Sequence, residues 1–226
     1  MALLKSLGGM RLGYEGAQDY DLILRASAVV QAYDIHHISK VLYHWRMVKG
    51  STASSSDAKT YATEAGLKAL RDHISTSGLT ANVVHSTWSN FYTVKYSLPN
   101  KLPKISIVIP TRDGMDVLRP CIESLIALTD YENYEVIVLD NGSKQKETLN
   151  YLNKLSERSN FQIVRDEGEF NYSRINNSAV THSSGEMICL LNNDVKIIEK
   201  NWLSEMASIA IRKEVGCVGA KLLYPD

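Results

Sequence analysis

Apolar positions along the chain follow two regimes that meet near residue 104. From Lys104 onward, short β-branched runs alternate with stretches of helical spacing, and polar breaks separate them. The runs are Ile105 to Ile109, Glu135 to Leu139, Phe161 to Val164, Met187 to Leu191 and Val215 to Val218. Their starts are spaced widely enough to hold a strand, a crossover helix and two loops. Val117 to Ile122 leading to Leu128, and Trp202, Leu203, Met206, Ile209 and Ala210, carry the i, i+3, i+4 spacing of helices with one buried stripe, and Lys144 to Leu155 continues with helical spacing. Runs apolar on both faces predict a parallel sheet covered by helices, and right-handed crossovers put all the helix-preceding loops on one edge.

Before Lys104 the pattern differs. Gln18 to Ala32 and Asp57 to Ile74 read as helices, Ile38 to Trp45 as a short strand or loop, and Phe91 to Tyr96 as an alternating strand. Gly50 to Ser56 is a run of small, mostly polar residues suited to a linker, and Pro99 to Pro103 marks a second boundary. The expected division is 1–50, 51–102 and 103–226, with the α/β class assigned to the last and a mainly helical character to the first.

Composition narrows the function classes. With 44% hydrophobic residues the chain can bury a core, and 25 Lys+Arg balance 25 Asp+Glu. No excess of positive charge exists to hold a nucleic-acid backbone by long-range attraction, so no nucleic-acid partner is expected. No run approaches the about 18 apolar residues of a spanning helix, and Met1 to Met10 lacks an apolar signal core, so a soluble, unexported protein is expected. Cys121, Cys189 and Cys217 show no CxxC spacing and read as buried, reduced thiols.

In an open parallel sheet, ligands bind beyond the carboxyl ends of the strands. Here those ends read Pro110-Thr111-Arg112-Asp113, Asp140-Asn141-Gly142-Ser143, Arg165-Asp166-Glu167-Gly168 and Asn192-Asn193-Asp194. Every one hands over to polar groups able to hold a phosphorylated ligand. No glycine-rich phosphate loop follows the first run, so another device must neutralise the phosphates, and a cation held at Asp194 would serve. Asp140 also suits a plain Asp-Asn-Gly turn, and Arg165 and Arg174, each taken alone, read as surface charges.

These residues resemble one family in order and spacing: Ile105 to Arg112, Val138 to Ser143, Phe170 to Asn177, and Gly185-Glu186 leading into Leu190 to Asp194. Together they are similar to the family 2 glycosyltransferases over residues 103–226. The resemblance implies the GT-A fold, a Rossmann-like sheet that binds a nucleotide sugar. It assigns Pro110, Thr111, Arg112 and Asp140 to base and ribose, with Asn141, Asn177 and Asn193 also on the donor. Asp194 and Asn192 fall on a metal motif that takes Mg2+ or Mn2+, with an amide where the family's first acid stands. Asn176-Asn177 stands where the family often carries Arg-Asn.

The N-terminal stretch Leu12 to Leu22 resembles the end of such a domain, where the family keeps its catalytic base; Gln18-Asp19 there makes Asp19 the candidate. Val41 to Arg46 resembles the closing segment, in which His44 can reach the metal or diphosphate. Two arrangements fit. The one adopted is a slice through a tandem enzyme, the tail of one domain followed by the head of the next; the other is a permuted domain completed within one chain or in a homodimer. The implied activity is inverting, metal-dependent hexosyl or deoxyhexosyl transfer from a UDP-, dTDP- or GDP-sugar to a polysaccharide or lipid-linked acceptor. The implied place is the cytoplasm, against the inner face of a bacterial membrane. A degenerate docking module and a sugar nucleotidyltransferase are the rival readings; the latter would need a basic glycine-rich loop after the first strand.

Overall fold

The computed structural model describes residues 1–44, 60–88 and 91–224, which divide into two units, Met1–Ser97 and Leu98–Asp226. The first unit holds α1 (Ala2–Ser6), α2 (Gln18–Ser27), a 3-10 turn at Ala32–Asp34, α3 (Thr60–Thr76), and the antiparallel hairpin of β1 (Ala81–His85) and β2 (Tyr92–Tyr96). Helix α2 stops short of the expected Ala32, where β-branched Val29 and Val30 follow its end. The part of Ile38 to Trp45 that is described, up to His44, is irregular. The predicted linker at Gly50 to Ser56 and the first residues of the predicted Asp57 helix lie outside the described residues. Strand β1 has no counterpart among the expected elements.

Leu67 and Ile74 of α3 pack on Val83 of β1, with Tyr92 and Val94 of β2 alongside. Gly66 makes this possible, since a Cβ there would lie 2.1 Å from the Tyr92 hydroxyl oxygen. That hydroxyl donates to the Thr63 carbonyl at 2.8 Å. The first unit therefore joins the N-terminal residues to the helix and hairpin of the expected linker region. Tyr14 and Arg11 both bond the Asp72 carboxylate of α3.

The second unit is β3 (Ile105–Thr111), α4 (Met115–Ala127), β4 (Tyr134–Asp140), α5 (Lys146–Ser156), β5 (Phe161–Arg165), α6 (Tyr172–Thr181), β6 (Met187–Leu190) and α7 (Trp202–Ala210). All four strands are parallel, in the order β5-β4-β3-β6. Side chains alternate across β3 as a pleat requires. Ile105, Ile107 and Ile109 pack in a cluster with α4, α5 and α7, while Val108 faces Ile175 and Ala179 of α6. Helices on both faces explain why the strands read as continuous apolar runs.

At the amino edge, Lys104, Ser106 and Ser184 converge on the Glu135 carboxylate. Burial opposes its charge, but those donors outweigh it and hold the carboxyl at about 2. Gly185 sits against the same spot, where a Cβ would lie 2.6 Å from the Ser106 backbone nitrogen. The Gly-Glu pair of the family pattern is thus a close-packing feature far from the carboxyl edge.

The run Val215 to Val218 is not a strand: the chain after α7 is irregular to Tyr224. Gly216 lies inside this run and Gly219 directly follows it, and glycine weakens strands. Cys121 is buried, Cys189 is half-buried and Cys217 is exposed, which corrects the expectation of three buried thiols; all three are free. No helix among the described residues is long and apolar enough to cross a membrane.

Candidate functional site at the carboxyl edge

Strands β3, β4 and β5 follow one another outward, and the chain then returns to set β6 on the other side of β3. That reversal opens a crevice between the carboxyl ends of β3 and β6, where an open α/β sheet binds ligands. Thr111 ends β3 and Asn192-Asn193-Asp194 follow β6, so the predicted groups flank this point. Thr111 links the two sides: it pairs with Asp140 in the sheet, and its Oγ1 accepts from Asn193 Nδ2 at 3.1 Å.

Asp140 is 2% exposed and fully engaged. Its Oδ1 accepts from the Ser143 amide at 2.9 Å, and its Oδ2 is paired with Arg165. Arg165 also donates to the Ser143 carbonyl at 2.9 Å and to Glu167 at 2.7 Å. Bonding to Glu167, then to Asp140, pushes the guanidinium's pKa up. Asp166 takes Arg174 in a two-armed pair at 2.7 and 3.0 Å, which lowers its carboxyl. Both arginines lie at the surface, as expected, and in addition each fastens a strand-end acid.

Asn141 reaches across to the Gly168 carbonyl with Nδ2 at 2.8 Å, while its buried Oδ1 has no partner among the described residues. Asp113 adopts φ +50°, rare for a residue with a Cβ, and supports a clasp between two loops. Its amide donates to Ser143 Oγ at 2.7 Å, and its Oδ1 accepts from the amides of Lys144 and Gln145, both at 2.9 Å. The sequence marks Asp113 and Ser143 only as strand-end residues and Tyr172 only as part of the Phe170 to Asn177 stretch, with no role for any of them. Partners 30 or more positions away leave no local signal for such a clasp.

Against these fastened groups, Asp194 and Arg112 are exposed and make no hydrogen bond or ion pair among the described residues. Pro110 is half-buried in β3, and Asn177 is exposed on the second turn of α6. Asn192 Oδ1 accepts from the Tyr172 hydroxyl at 3.1 Å. Among the described residues, no group of three or more His, Cys, Asp or Glu is placed so that it could hold a metal ion by itself. One free carboxylate beside two amides suits a Mg2+- or Mn2+-sized cation that keeps most of its ligands from phosphates and water.

Asp19 and His44 belong to the first unit and are both exposed. The Asp19 carboxylate takes a single hydrogen bond, from the Tyr20 amide at 2.9 Å. Its neighbour Asp21 is 1% exposed, held by Arg11 and Arg25. Burial works against the Asp21 charge, but the two guanidiniums prevail and lower its carboxyl. Arg25 also ties down the Leu7 and Gly9 carbonyls at 2.6 and 2.8 Å. Asp21 is a structural acid, while Asp19 is exposed and makes no ion pair among the described residues.

An open parallel sheet with helices on both faces, fastened acids along its carboxyl edge and one free carboxylate after β6 defines an α/β domain whose polar groups gather at that edge. The chain belongs to glycosyl transferase family 2, whose sequence model matches residues 106–225. It is 39% identical to the O-antigen biosynthesis protein RfbC of Myxococcus xanthus over 99% of this chain and 17% of that protein. It is 47% identical to protein y4gI of Sinorhizobium fredii over the whole of this chain and 25% of that protein. The chain thus spans a quarter or less of the curated relatives it matches. Among solved structures, it is similar to the mannosyltransferase PcManGT of Pyrobaculum calidifontis in complex with GDP-Man and Mn2+, at 19% identity, 53% of this chain, 35% of that chain and TM-score 0.48. It is also similar to S. aureus TarS in complex with UDP-GlcNAc, at 23% identity, 47% of this chain, 31% of that chain and TM-score 0.41.

Proposed function

We propose that residues 98–226 form the donor half of an inverting, cation-dependent sugar transferase that helps to build a bacterial surface polysaccharide. The observation that carries this reading is the free carboxylate of Asp194 at the crevice between β3 and β6, beside groups already fastened in place. Arg112, exposed and unpaired, is the cation of this chain that meets the donor, and the unpartnered Oδ1 of Asn141 accepts from it. Asp140, locked by Arg165, orients the loop that cradles the nucleotide.

Asp194, with the Asn192 and Asn193 amides beside it, would hold a divalent ion, which when bound would supply positive charge against the diphosphate of the leaving group. The acceptor hydroxyl attacks the anomeric carbon, the bond from that carbon to the diphosphate oxygen breaks, and the nucleoside diphosphate departs with the bonding pair. A carboxylate takes the hydroxyl proton. Asp19 fills that role in the domain whose end residues 1–50 resemble, and His44 would lie near its metal or diphosphate. The relatives' greater length supports a tandem protein, with this chain carrying the end of one domain and the start of the next. The proposed place of action is the cytoplasmic face of the membrane, with a lipid-linked or polysaccharide acceptor.

Calorimetry with UDP, dTDP and GDP, with and without Mn2+, tests the reading. One nucleotide should bind at least about tenfold more tightly with Mn2+, equivalent to about 1.4 kcal/mol, and Asp194→Asn should remove that increment. Metal-independent binding that is the same in both proteins would overturn it.

A further inference from the structure

The segment that carries Asp194 has no regular structure of its own. After Leu191, whose amide still donates to Val108 at 2.9 Å, the chain leaves the sheet. It runs as turns and irregular backbone until α7 begins at Trp202. A cation site needs its carboxylate presented reproducibly, so something outside the segment must hold it.

Helix α4 does so with two side chains three positions apart, which share one face of a helix. The Cys121 thiol donates to the Asn192 carbonyl at 3.6 Å. Ser124 Oγ accepts from the Ile197 amide at 3.0 Å and donates to the Cys121 carbonyl at 3.0 Å. The two contacts grip the segment at its first and last residues, with Asp194 between them. Both gripping residues are buried, at 0% and 8% exposure, in a face otherwise made of Leu118, Ile122 and Leu125.

A polar serine on an apolar helix face is a poor choice for packing alone, because it competes with the helix backbone and fills little volume. Its presence is explained by the Ile197 amide, which belongs to a residue 6% exposed and would otherwise be a buried donor without a partner. The thiol is a weak donor and reaches the Asn192 carbonyl only at 3.6 Å, whereas Ser124 Oγ accepts an ordinary amide hydrogen bond at 3.0 Å, so Ser124 carries the larger share.

We infer that Cys121 and Ser124 are positioning residues: together they hold the Asn192–Ile197 segment from beneath and so present the Asp194 carboxylate at the crevice. This rests on the reading of Asp194 as the cation's carboxylate. Neither residue touches the ligand, and neither was among the candidate site residues of the sequence.

Two readouts on the full chain separate positioning from plain packing. The first is amide hydrogen exchange over residues 192–197 in the nucleotide-free protein, for wild type, Ser124→Ala, Cys121→Ala, Ser124→Thr, Cys121→Ser, and Leu152→Ala as a core-destabilised control. The second is the gain in affinity that Mn2+ gives to whichever of UDP, dTDP and GDP binds wild type most tightly. Ser124→Ala should exchange at least about tenfold faster in the segment and lose about tenfold of the Mn2+ gain, with a smaller loss for Cys121→Ala. Ser124→Thr and Cys121→Ser, which keep a donor and acceptor in place, should restore both readouts, and Leu152→Ala should retain the gain. A Mn2+ gain equal to wild type in Ser124→Ala and Cys121→Ala overturns the inference, as does an equal loss in Leu152→Ala. A wild type with no Mn2+ gain for any nucleotide overturns the reading of Asp194 itself, and the inference falls with it.

Discussion

Single residues at the carboxyl edge divide into those that are fastened and those that are free. Arg165 and Arg112 illustrate the two kinds, and each predicts a different phenotype. Removing the Arg165 guanidinium leaves Asp140, 2% exposed, with a buried charge held only by the Ser143 amide. Arg165 is itself 40% exposed, so water screens part of the pair and the cost is moderate. Arg165→Met should lower the urea midpoint of unfolding, and the double variant with Asp140→Asn should recover part of the loss. A midpoint equal to that of wild type would remove Arg165 from this role. Arg112→Ala should leave stability within about 0.5 kcal/mol while weakening nucleotide binding several-fold in calorimetry. The acids and amides themselves were legible in the sequence, because each follows a strand directly. Their engagement was not: Asp140 reads equally as a turn residue, and the Asp113 clasp spans about 30 positions.

At the scale of elements, strands β3 to β6 were readable to within one or two residues, since β-branched runs buried on both faces leave a strong signal. The first unit was less legible. Its β1 is five residues with one buried side chain, Val83, and gains its place from α3 packing on it. Val215 to Val218 has the spacing of a fifth strand, yet Gly216 within it and Gly219 directly after it weaken it. The amino edge of the sheet yields two predictions. Gly185→Ala should cost about 1 to 3 kcal/mol because its Cβ would press on the β3 backbone at 2.6 Å, whereas Gly216→Ala, with nothing within 4 Å, should be close to neutral. Comparing their melting temperatures checks this. Glu135 predicts acid sensitivity: its carboxyl is lowered from 4.5 to about 2, so its stabilisation is complete above about pH 4.5 and fades as pH falls toward 2. The 2.5-unit difference corresponds to on the order of 3 kcal/mol, and Glu135→Gln should flatten the stability curve between these limits.

For the whole molecule, the division at Ser97 and Leu98 separates the groups assigned to donor binding from Asp19 and His44. Donor binding should therefore belong to residues 98–226 alone. That fragment should match the full chain in Mn2+-dependent nucleotide affinity within a few-fold, and Asp19→Asn should leave the affinity of the full chain unchanged. A large loss in either would assign the donor site to both units. The balance of 25 basic and 25 acidic residues leaves no broad positive field, so the proposed ligand's charge would have to be met locally, as the proposal assigns to Arg112 and a cation.

The most direct measurement is the anomalous signal of Mn2+ in crystals grown with the nucleoside diphosphate that binds best. Asp194 as cation ligand predicts one peak within about 2.1 to 2.6 Å of its carboxylate, with phosphate oxygens completing the coordination. A peak bound elsewhere, with nucleotide present and Asp194 turned away, would contradict it.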